Sequence, residues 1–326
     1  MSASMLEEAL VAFERRLPER TGQHRSCPLL REAIDYHFGF GDFGPTRRGK
    51  RLRPQLLFRF AFQLGAGIER ALDAAVAIEI LHNYSLVHDD IEDRDELRHG
   101  RPTLWARYGI AQAINAGDAM CAISFLALAQ SEKELGAARA LDAVRVLHEA
   151  HREMCNGQAL DLAFESRPAV AFDDYLEMIA GKTSALFGAA SALGAICAEA
   201  DAATVERART FGREYGMAFQ IRDDILGIWG DEAATGKRVA GDLARRKWSF
   251  PIVWALSQPE SVPRTIVASM YASGRNLERD EVEAVRNALD ELAARPACDR
   301  AIAQRLDALQ RFGDNDLFRF AADSLC

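Results

Sequence analysis

Ala74-Ala75-Val76-Ala77-Ile78-Glu79-Ile80-Leu81-His82-Asn83-Tyr84-Ser85-Leu86-Val87-His88-Asp89-Asp90-Ile91-Glu92-Asp93 is the stretch on which the reading of this 326-residue chain turns. Its first part is apolar at nearly every position and has no breaker, which reads as one helix buried on all sides rather than a helix with a single wet face. Its end is acidic: six of the eight residues from Asp89 to Glu96 carry a carboxylate. Like charges at i and i+4 cost a helix roughly 0.2–0.5 kcal/mol per pair, so the bare sequence works against its own helix end unless something cationic compensates. Asp89 and Asp93 stand one turn apart on one face. That spacing suits two carboxylates sharing Mg²⁺, a hard cation that keeps several waters and takes remaining ligands from substrate phosphates. The pattern points to a metal-bound diphosphate, and its competitor is a merely solvated acidic helix end.

The rest of the chain supplies the context. Long periodic segments dominate, among them 56–64, 71–88, 111–128, 141–164, 175–196 and 205–229, while alternating β-branched runs are almost absent. The expectation is an all-α protein. The ten prolines are dispersed and no Ser/Gly/Pro-rich linker appears, so residues 1–326 are expected to form a single domain. The six cysteines have neither CxxC nor ribbon spacing, which points to a reducing, cytoplasmic setting. Glu7, Glu8 and Glu14 make the N-terminus unlike a secretory signal. The most apolar window, 111–129, is interrupted by Asn115 and Asp118, so no membrane span is expected. A net charge of −8 argues against a nucleic-acid surface, and an acidic protein that binds an anion needs local cations or metal.

Local cations are present. Arg47-Arg48-Gly49-Lys50-Arg51-Leu52-Arg53-Pro54 leads into a new helix start, where free N–H groups and the helix dipole add to the side chains as an anion site; a solvated basic loop is the plainer alternative. Arg98-His99-Gly100-Arg101-Pro102-Thr103 follows the acid cluster, and Arg98 is within reach of phosphates held there. Lys182-Thr183, Lys237 and Lys247 lie further on. A second acidic stretch, Phe219-Gln220-Ile221-Arg222-Asp223-Asp224-Ile225-Leu226-Gly227, puts Gln220, Asp223, Asp224 and position 227 on one helical face, but glycine occupies the place that would complete DDxxD. His148 and His151, with Glu149 and Glu153, have helical metal-site spacing and are read as a partly solvated helix face.

From about Gly49 to Pro251 the chain resembles the trans-isoprenyl diphosphate synthases (polyprenyl synthetases). The matching motifs are GKRLRP at 49–54, HNYSLVHDDIED at 82–93, RHGRPT at 98–103, AGD at 116–118, GQALD at 157–161, KT at 182–183, FQIRDDILG at 219–227, TGK at 235–237 and KWSFP at 247–251, in the family's order and spacing. The resemblance implies an all-α fold around a central cavity, a homodimer, and a reaction that joins isopentenyl diphosphate to an allylic diphosphate. It implies two Mg²⁺ on Asp89 and Asp93 and a third on Asp223, with Asp90 and Asp224 in supporting positions. Lys182, Thr183, Gln220, Lys237, Lys247 and Arg98 correspond to contacts to the allylic diphosphate, and Lys50, Arg53 and His82 to the isopentenyl diphosphate site. His82 lies seven residues before Asp89, two turns away on the same face, so geometry agrees.

Such chemistry needs no protein nucleophile: metal and fixed cations stabilise the departing diphosphate, and an apolar cavity keeps water from the carbocation. The growing tail is expected to descend along the same helix past Ser85, Tyr84, Leu81 and Ile78. Tyr84 five residues before Asp89, with the small Ser85 four before, resembles geranylgeranyl (C20) synthases more than farnesyl ones. Two positions depart from the family pattern. Gly227 replaces the last aspartate of the second motif, and His99 stands where a second arginine commonly helps hold isopentenyl diphosphate. A terpene cyclase would not need Lys50, Arg53 and His82; a non-catalytic regulatory subunit would not need an intact DDIED.

Overall fold

The computed structural model describes residues 3–23, 27–43, 49–230, 241–312 and 316–325. Among these the chain is helical throughout, apart from short connections and one two-residue strand pair, as the periodicity predicted. Contacts divide it into two compact units, each assembled from separate stretches: Met1–His151 with Leu186–Gly212, and Arg152–Ala185 with Arg213–Cys326.

The first unit is built around α4 (Ile68–Glu92), which contains the opening sequence. From Ala71 to Leu81 every residue of α4 is buried, so other helices must surround it. They are α6 (Ile110–Ala129), α3 (Leu52–Gln63) and α1 (Ala3–Gly22). The crossing with α6 is close. A Cβ on Gly117 would lie 2.3 Å from His88 Nε2, so the glycine of the AGD motif makes room for the imidazole next to Asp89.

A buried polar chain ties these helices together. Arg51 donates from Nη1 to Glu79 Oε1 (2.6 Å) and from Nε to Glu14 Oε1 (3.0 Å). Asn83 donates through Nδ2 to the Glu79 carbonyl and carboxylate, leaving its Oδ1 to accept from His37 Nε2 at 3.1 Å. His37 belongs to α2 (Pro28–Phe38), so the chain links α1, α2, the start of α3 and α4. Arg51 holds a left-handed φ of 51°, an uncommon conformation for a residue with a Cβ, and the two carboxylates fix it there.

The second unit begins with the end of α8 (Ala137–Glu165), followed by α9 (Phe172–Ile179) and a π-helical turn at Ala180–Ser184. α10 (Ala185–Cys197) and the start of α11 (Ala202–Trp229) lead through the first unit, and the remainder of α11 returns to the second. The C-terminal segment adds α12 (Gly241–Ala244), α13 (Phe250–Ser257), α14 (Val262–Tyr271), α15 (Arg279–Glu291), α16 (Ala294–Gln310) and α17 (Asp316–Leu325). α16 packs on α13, and Tyr215 of α11 shares a 2.7 Å hydrogen bond with Ser324 of α17. The segment after 257, unassigned from sequence, is thus the packing surface for the elements around KWSFP. Two glycines allow a close crossing in this unit. A Cβ on Gly157 would lie 2.0 Å from the Lys182 amide nitrogen, and one on Gly181 2.6 Å from the Glu153 carbonyl. The GQ of GQALD therefore serves the backbone that carries Lys182.

Two outcomes follow for stability. Burial, reinforced by Arg98 and Arg51, pushes His37 from 6.5 down to about 4. A base depressed in the folded state contributes fully above its ordinary pKa, and the contribution is lost as pH falls through the folded value. Stability should drop by up to about 3 kcal/mol between pH 6.5 and 4. His37→Gln keeps a donor for Asn83 without titrating and should flatten that limb in denaturant melts; an unchanged limb assigns the acid loss elsewhere. Gly157→Ala places a methyl against fixed backbone and should cost about 1–3 kcal/mol, with a lower thermal midpoint; a wild-type midpoint would mean the crossing is loose.

Candidate active site

The acid end of α4 sorts its carboxylates by direction. Successive helical residues point about 100° apart, so the two members of an Asp-Asp doublet cannot share one environment. Asp90 is buried, and its carboxylate accepts from Arg98 Nε (2.9 and 3.1 Å) and Nη2 (2.7 Å). Burial raises its pKa, and Asp95 and Asp93 add to the rise against the Arg98 pair. Asp89 and Asp93 stay half-exposed on the other face, joined by the Asp93 N–H to Asp89 carbonyl bond of 2.8 Å. Among the described residues no three His, Cys, Asp or Glu side chains converge as a complete metal cage. Two accessible carboxylates one turn apart fit Mg²⁺, which commonly uses one or two carboxylates with water and phosphate as the remaining ligands. Asp90, already occupied by Arg98, fits a support rather than a ligand. Arg98, expected to reach phosphate, spends two of its three nitrogens on Asp90.

The segment 98–101 forms a hairpin. β1 (Leu97–Arg98) pairs with β2 (Arg101–Pro102), and the two turn residues, His99 and Gly100, have φ of 52° and 77°. Positive φ at both central positions marks a type I′ turn, for which glycine and a few polar residues are best suited. His99 is thus an exposed turn-tip residue, and the turn accounts for the glycine beside it.

Lys50 is exposed just before α3, and Arg53, in the first turn, lies 4.3 Å from the Phe187 ring centre. His82 is depressed well below its usual value, chiefly by burial and further by Arg53, Arg98 and Arg51, so it is a neutral imidazole. It can donate one N–H to an anion without adding a charge. Further down α4, Ser85 donates to the His82 carbonyl (2.8 Å), and Tyr84 and Ser85 are half-exposed. Leu81 and Ile78 are fully buried. On this stretch of α4 the half-exposed side chains are thus His82, Tyr84 and Ser85, with Leu81 and Ile78 packed inside.

In the second unit the cations are organised by a residue to which the sequence reading gave no role. Asp161 lies 2.5 Å from Lys182 Nζ and 3.9 Å from Lys247 Nζ. Burial opposes its ionisation, but Lys247 and Lys182 hold its pKa below the usual carboxylate value. The GQALD motif signalled it, but only contact reveals the partners. Lys247 itself is placed by its neighbours: Trp248 donates to the Phe164 carbonyl (2.9 Å) and Tyr271 donates to the Lys247 carbonyl (3.1 Å). Lys237 and the rest of TGK lie outside the described residues.

The second doublet repeats the division seen on α4. Asp223 is exposed, whereas Asp224 is buried and accepts from the Tyr175 hydroxyl, Gln220 Nε2 (3.0 Å) and the Phe250 N–H (2.7 Å). Burial pushes Asp224 up to about 6 despite these donors. Gln220 also accepts from Thr183 Oγ1 at 2.6 Å, so Thr183 and Gln220 belong to this support rather than standing apart. As with Asp90, the filled acceptor set makes Asp224 a scaffold residue, while the neighbouring Asp223 carboxylate is exposed. The departure at Gly227 also has a structural counterpart: a Cβ there would lie 2.2 Å from Asp242 Oδ2, so the carboxylate of Asp242 occupies the space beside Gly227.

Residues 29–289 match the family model described as polyprenyl synthetase. The chain is 39% identical over 303 residues to (2E,6E)-farnesyl diphosphate synthase of Mycobacterium tuberculosis, covering 90% of this chain and 83% of that one. It is 40% identical over 268 residues to geranylgeranyl diphosphate synthase of the same organism, covering 80% and 75%. The fold aligns with the crystal structure of a polyprenyl synthetase from Streptomyces coelicolor with a TM-score of 0.88 at 33% identity, over 99% of this chain and 98% of that one. With its doublets divided between a buried support and an accessible carboxylate, and its lysines gathered on Asp161, this chain belongs to the polyprenyl synthetase family and is a prenyltransferase of the trans-prenyl diphosphate synthase type.

Proposed function

We propose that this synthase makes geranylgeranyl diphosphate (C20) from isopentenyl diphosphate and allylic primers of C5 to C15, with three Mg²⁺, two on Asp89 and Asp93 and one on Asp223. The observation that carries the product length is the wall of α4. It is open at Ser85 and Tyr84 and fully packed at Leu81 and Ile78, so a tail growing from Asp89 meets Tyr84 as its floor. The relatives named above include both farnesyl and geranylgeranyl synthases, and the small Ser85 favours the longer product.

Bound Mg²⁺ supplies Lewis-acid stabilisation to the departing diphosphate. Lys182 and Lys247, held by Asp161, bind that diphosphate with Lys237. Lys50, Arg53 and neutral His82 hold isopentenyl diphosphate, whose double bond attacks the allylic cation. The proton then lost from the new cation goes to the diphosphate leaving group, so no side chain on α4 has to act as base. Arg98 fixes Asp90 by its hydrogen bonds, with Asp89 and Asp93 left more accessible.

We further propose that the enzyme is a cytoplasmic homodimer. α6 exposes Ile110, Ile114 and Leu126 on a side that also carries Gln112, Asn115 and Asp118, large apolar side chains that a second copy could cover. The segments Ile110–Leu135 and Phe172–Cys197 have the length and apolarity of a span, but the second is 83% buried within the protein.

Incubation with Mg²⁺, isopentenyl diphosphate and each primer, followed by product chromatography, tests the reading. Linear C20 diphosphate is expected; cyclic hydrocarbons would indicate a cyclase, and no turnover a regulatory subunit. Asp89→Ala should lose about 10²–10³-fold in kcat, the scale of removing one preorganised electrostatic element, with an unchanged circular-dichroism melt; a variant of wild-type activity would overturn the ligand assignment. Tyr84→Ala should yield products longer than C20, and an unchanged product would put the floor elsewhere.

A further inference from the structure

On helical spacing alone, His148 and His151 read as a partly solvated face. His148 is exposed, but His151 is not: it is half-buried against the residue that closes the wall of α4. His151 Nε2 lies 3.3 Å from the Tyr84 hydroxyl, and the rings meet edge to face with centroids 5.2 Å apart at 88°. The other ring nitrogen, Nδ1, lies 3.9 Å from Cys121 Sγ on α6. Tyr84 is gripped from its second side by His88, 4.8 Å between ring centres, and Phe125 of α6 lies 6.0 Å from His151 while stacking on His148 at 3.5 Å. All of these groups belong to the first unit, on α4, α6 and the start of α8.

We propose that His151 is a specificity-determining residue: it fastens the Tyr84 hydroxyl so that the tyrosine ring acts as a fixed floor and not as a movable gate, and thereby sets where elongation stops. The inference rests on the reading of Tyr84 as the floor. A tyrosine ring attached only at its Cβ can turn aside to a neighbouring rotamer when a lengthening tail presses on it, at a cost comparable to one hydrogen bond. The arrangement opposes that motion at the ring's far end, where leverage is greatest. Burial first, then His148 and His88, lower the His151 pKa, so the imidazole is neutral. It therefore has one N–H and one lone pair to divide between Tyr84 and Cys121, and either tautomer satisfies the tyrosine hydroxyl, which both donates and accepts. His151 touches neither diphosphate nor metal; it is a positioning residue, and its effect should appear in product length.

The test is the product distribution of the full-length enzyme with Mg²⁺, isopentenyl diphosphate and an allylic primer, read as the ratio of the next-longer prenyl diphosphate to the main product. His151→Leu, which keeps bulk and removes the hydrogen bond, should raise that ratio about fivefold, the effect of losing one such bond on two competing rates. His151→Gln, which can still reach the hydroxyl, should restore the wild-type ratio, a rescue that mere filling of space would not give. Tyr84→Phe, which removes the same bond from the other side, should match His151→Leu, and the double variant should add nothing further. Circular-dichroism melts confirm that each variant is folded; should His151→Leu fail to fold, Tyr84→Phe alone decides. An unchanged ratio in folded Tyr84→Phe or His151→Leu overturns the proposal. A wild-type product of C15 or C25 overturns the C20 reading alone, since the shift is measured from whatever length the wild type makes; no linear product overturns both.

Discussion

A carboxylate inside an apolar helix must be paired, because leaving it alone in the interior costs far more than any single packing contact returns. Glu79 is such a residue, 4% exposed in the middle of α4, and its partner is Arg51 at 2.6 Å. Much of the first unit follows from this pairing. It draws Arg51 into a left-handed conformation at the edge of α3, which starts that helix at Leu52 and leaves Lys50 and Arg53 on either side of the anchored residue. It also orients Asn83, through which His37 and α2 are fixed to the same helix. The basic segment and the acidic helix are therefore parts of one polar network, so Lys50 and Arg53, on either side of Arg51, are placed relative to the helix that carries His82.

The same device recurs wherever the chain presents charge. Asp90 is tied by Arg98, Asp161 by Lys182 and Lys247, and Asp224 by Tyr175, Gln220 and the Phe250 amide. In the doublets Asp89-Asp90 and Asp223-Asp224 the helical twist turns one carboxylate inward, where protein donors fill its acceptor sites, and its neighbour outward. Doubling the aspartate is thus a way of fixing one carboxylate by means of the next. The buried member costs desolvation, visible in the upward shifts of Asp90 and Asp224. What it provides is a helix end whose inward carboxylate is held by protein donors, a preorganised setting of the kind on which electrostatic catalysis depends.

The helical fold was legible because α4, α6, α8 and α11 are long and strongly periodic, and the spacing of His82, Asp89 and Asp93 on one helix could be counted directly. What stayed hidden depends on where helices cross. Asp161 offers no local sign of its two lysines, Tyr175 none of Asp224 forty-nine residues away, and His151 none of Tyr84, sixty-seven residues distant. Periodicity read His151 as part of a partly solvated face, which its half-burial bears out, but the helix's own pattern does not record which neighbour covers the buried side. Nor does spacing show that Leu81 and Ile78, on the same helix, are completely buried by the helices around it. The glycines at 117 and 157 were quoted as parts of motifs, and only the close crossings explain them.

Gly227 shows the limit of motif counting most clearly. Read linearly, the second acidic motif has lost its last carboxylate, and the loss suggests a weakened site. In three dimensions the space beside Gly227 holds the Asp242 carboxylate, with Oδ2 where even a methyl group would be 2.2 Å away. Two carboxylates cannot occupy that volume, and placing them side by side would add repulsion between like charges. Asp242 is itself constrained, since its carbonyl accepts from the Lys247 N–H at 2.8 Å, so the side chain that fills the gap belongs to the segment that carries Lys247. The glycine and the aspartate are one feature divided between α11 and α12: the absence of a Cβ at 227 leaves the room in which the Asp242 carboxylate sits beside the helix face.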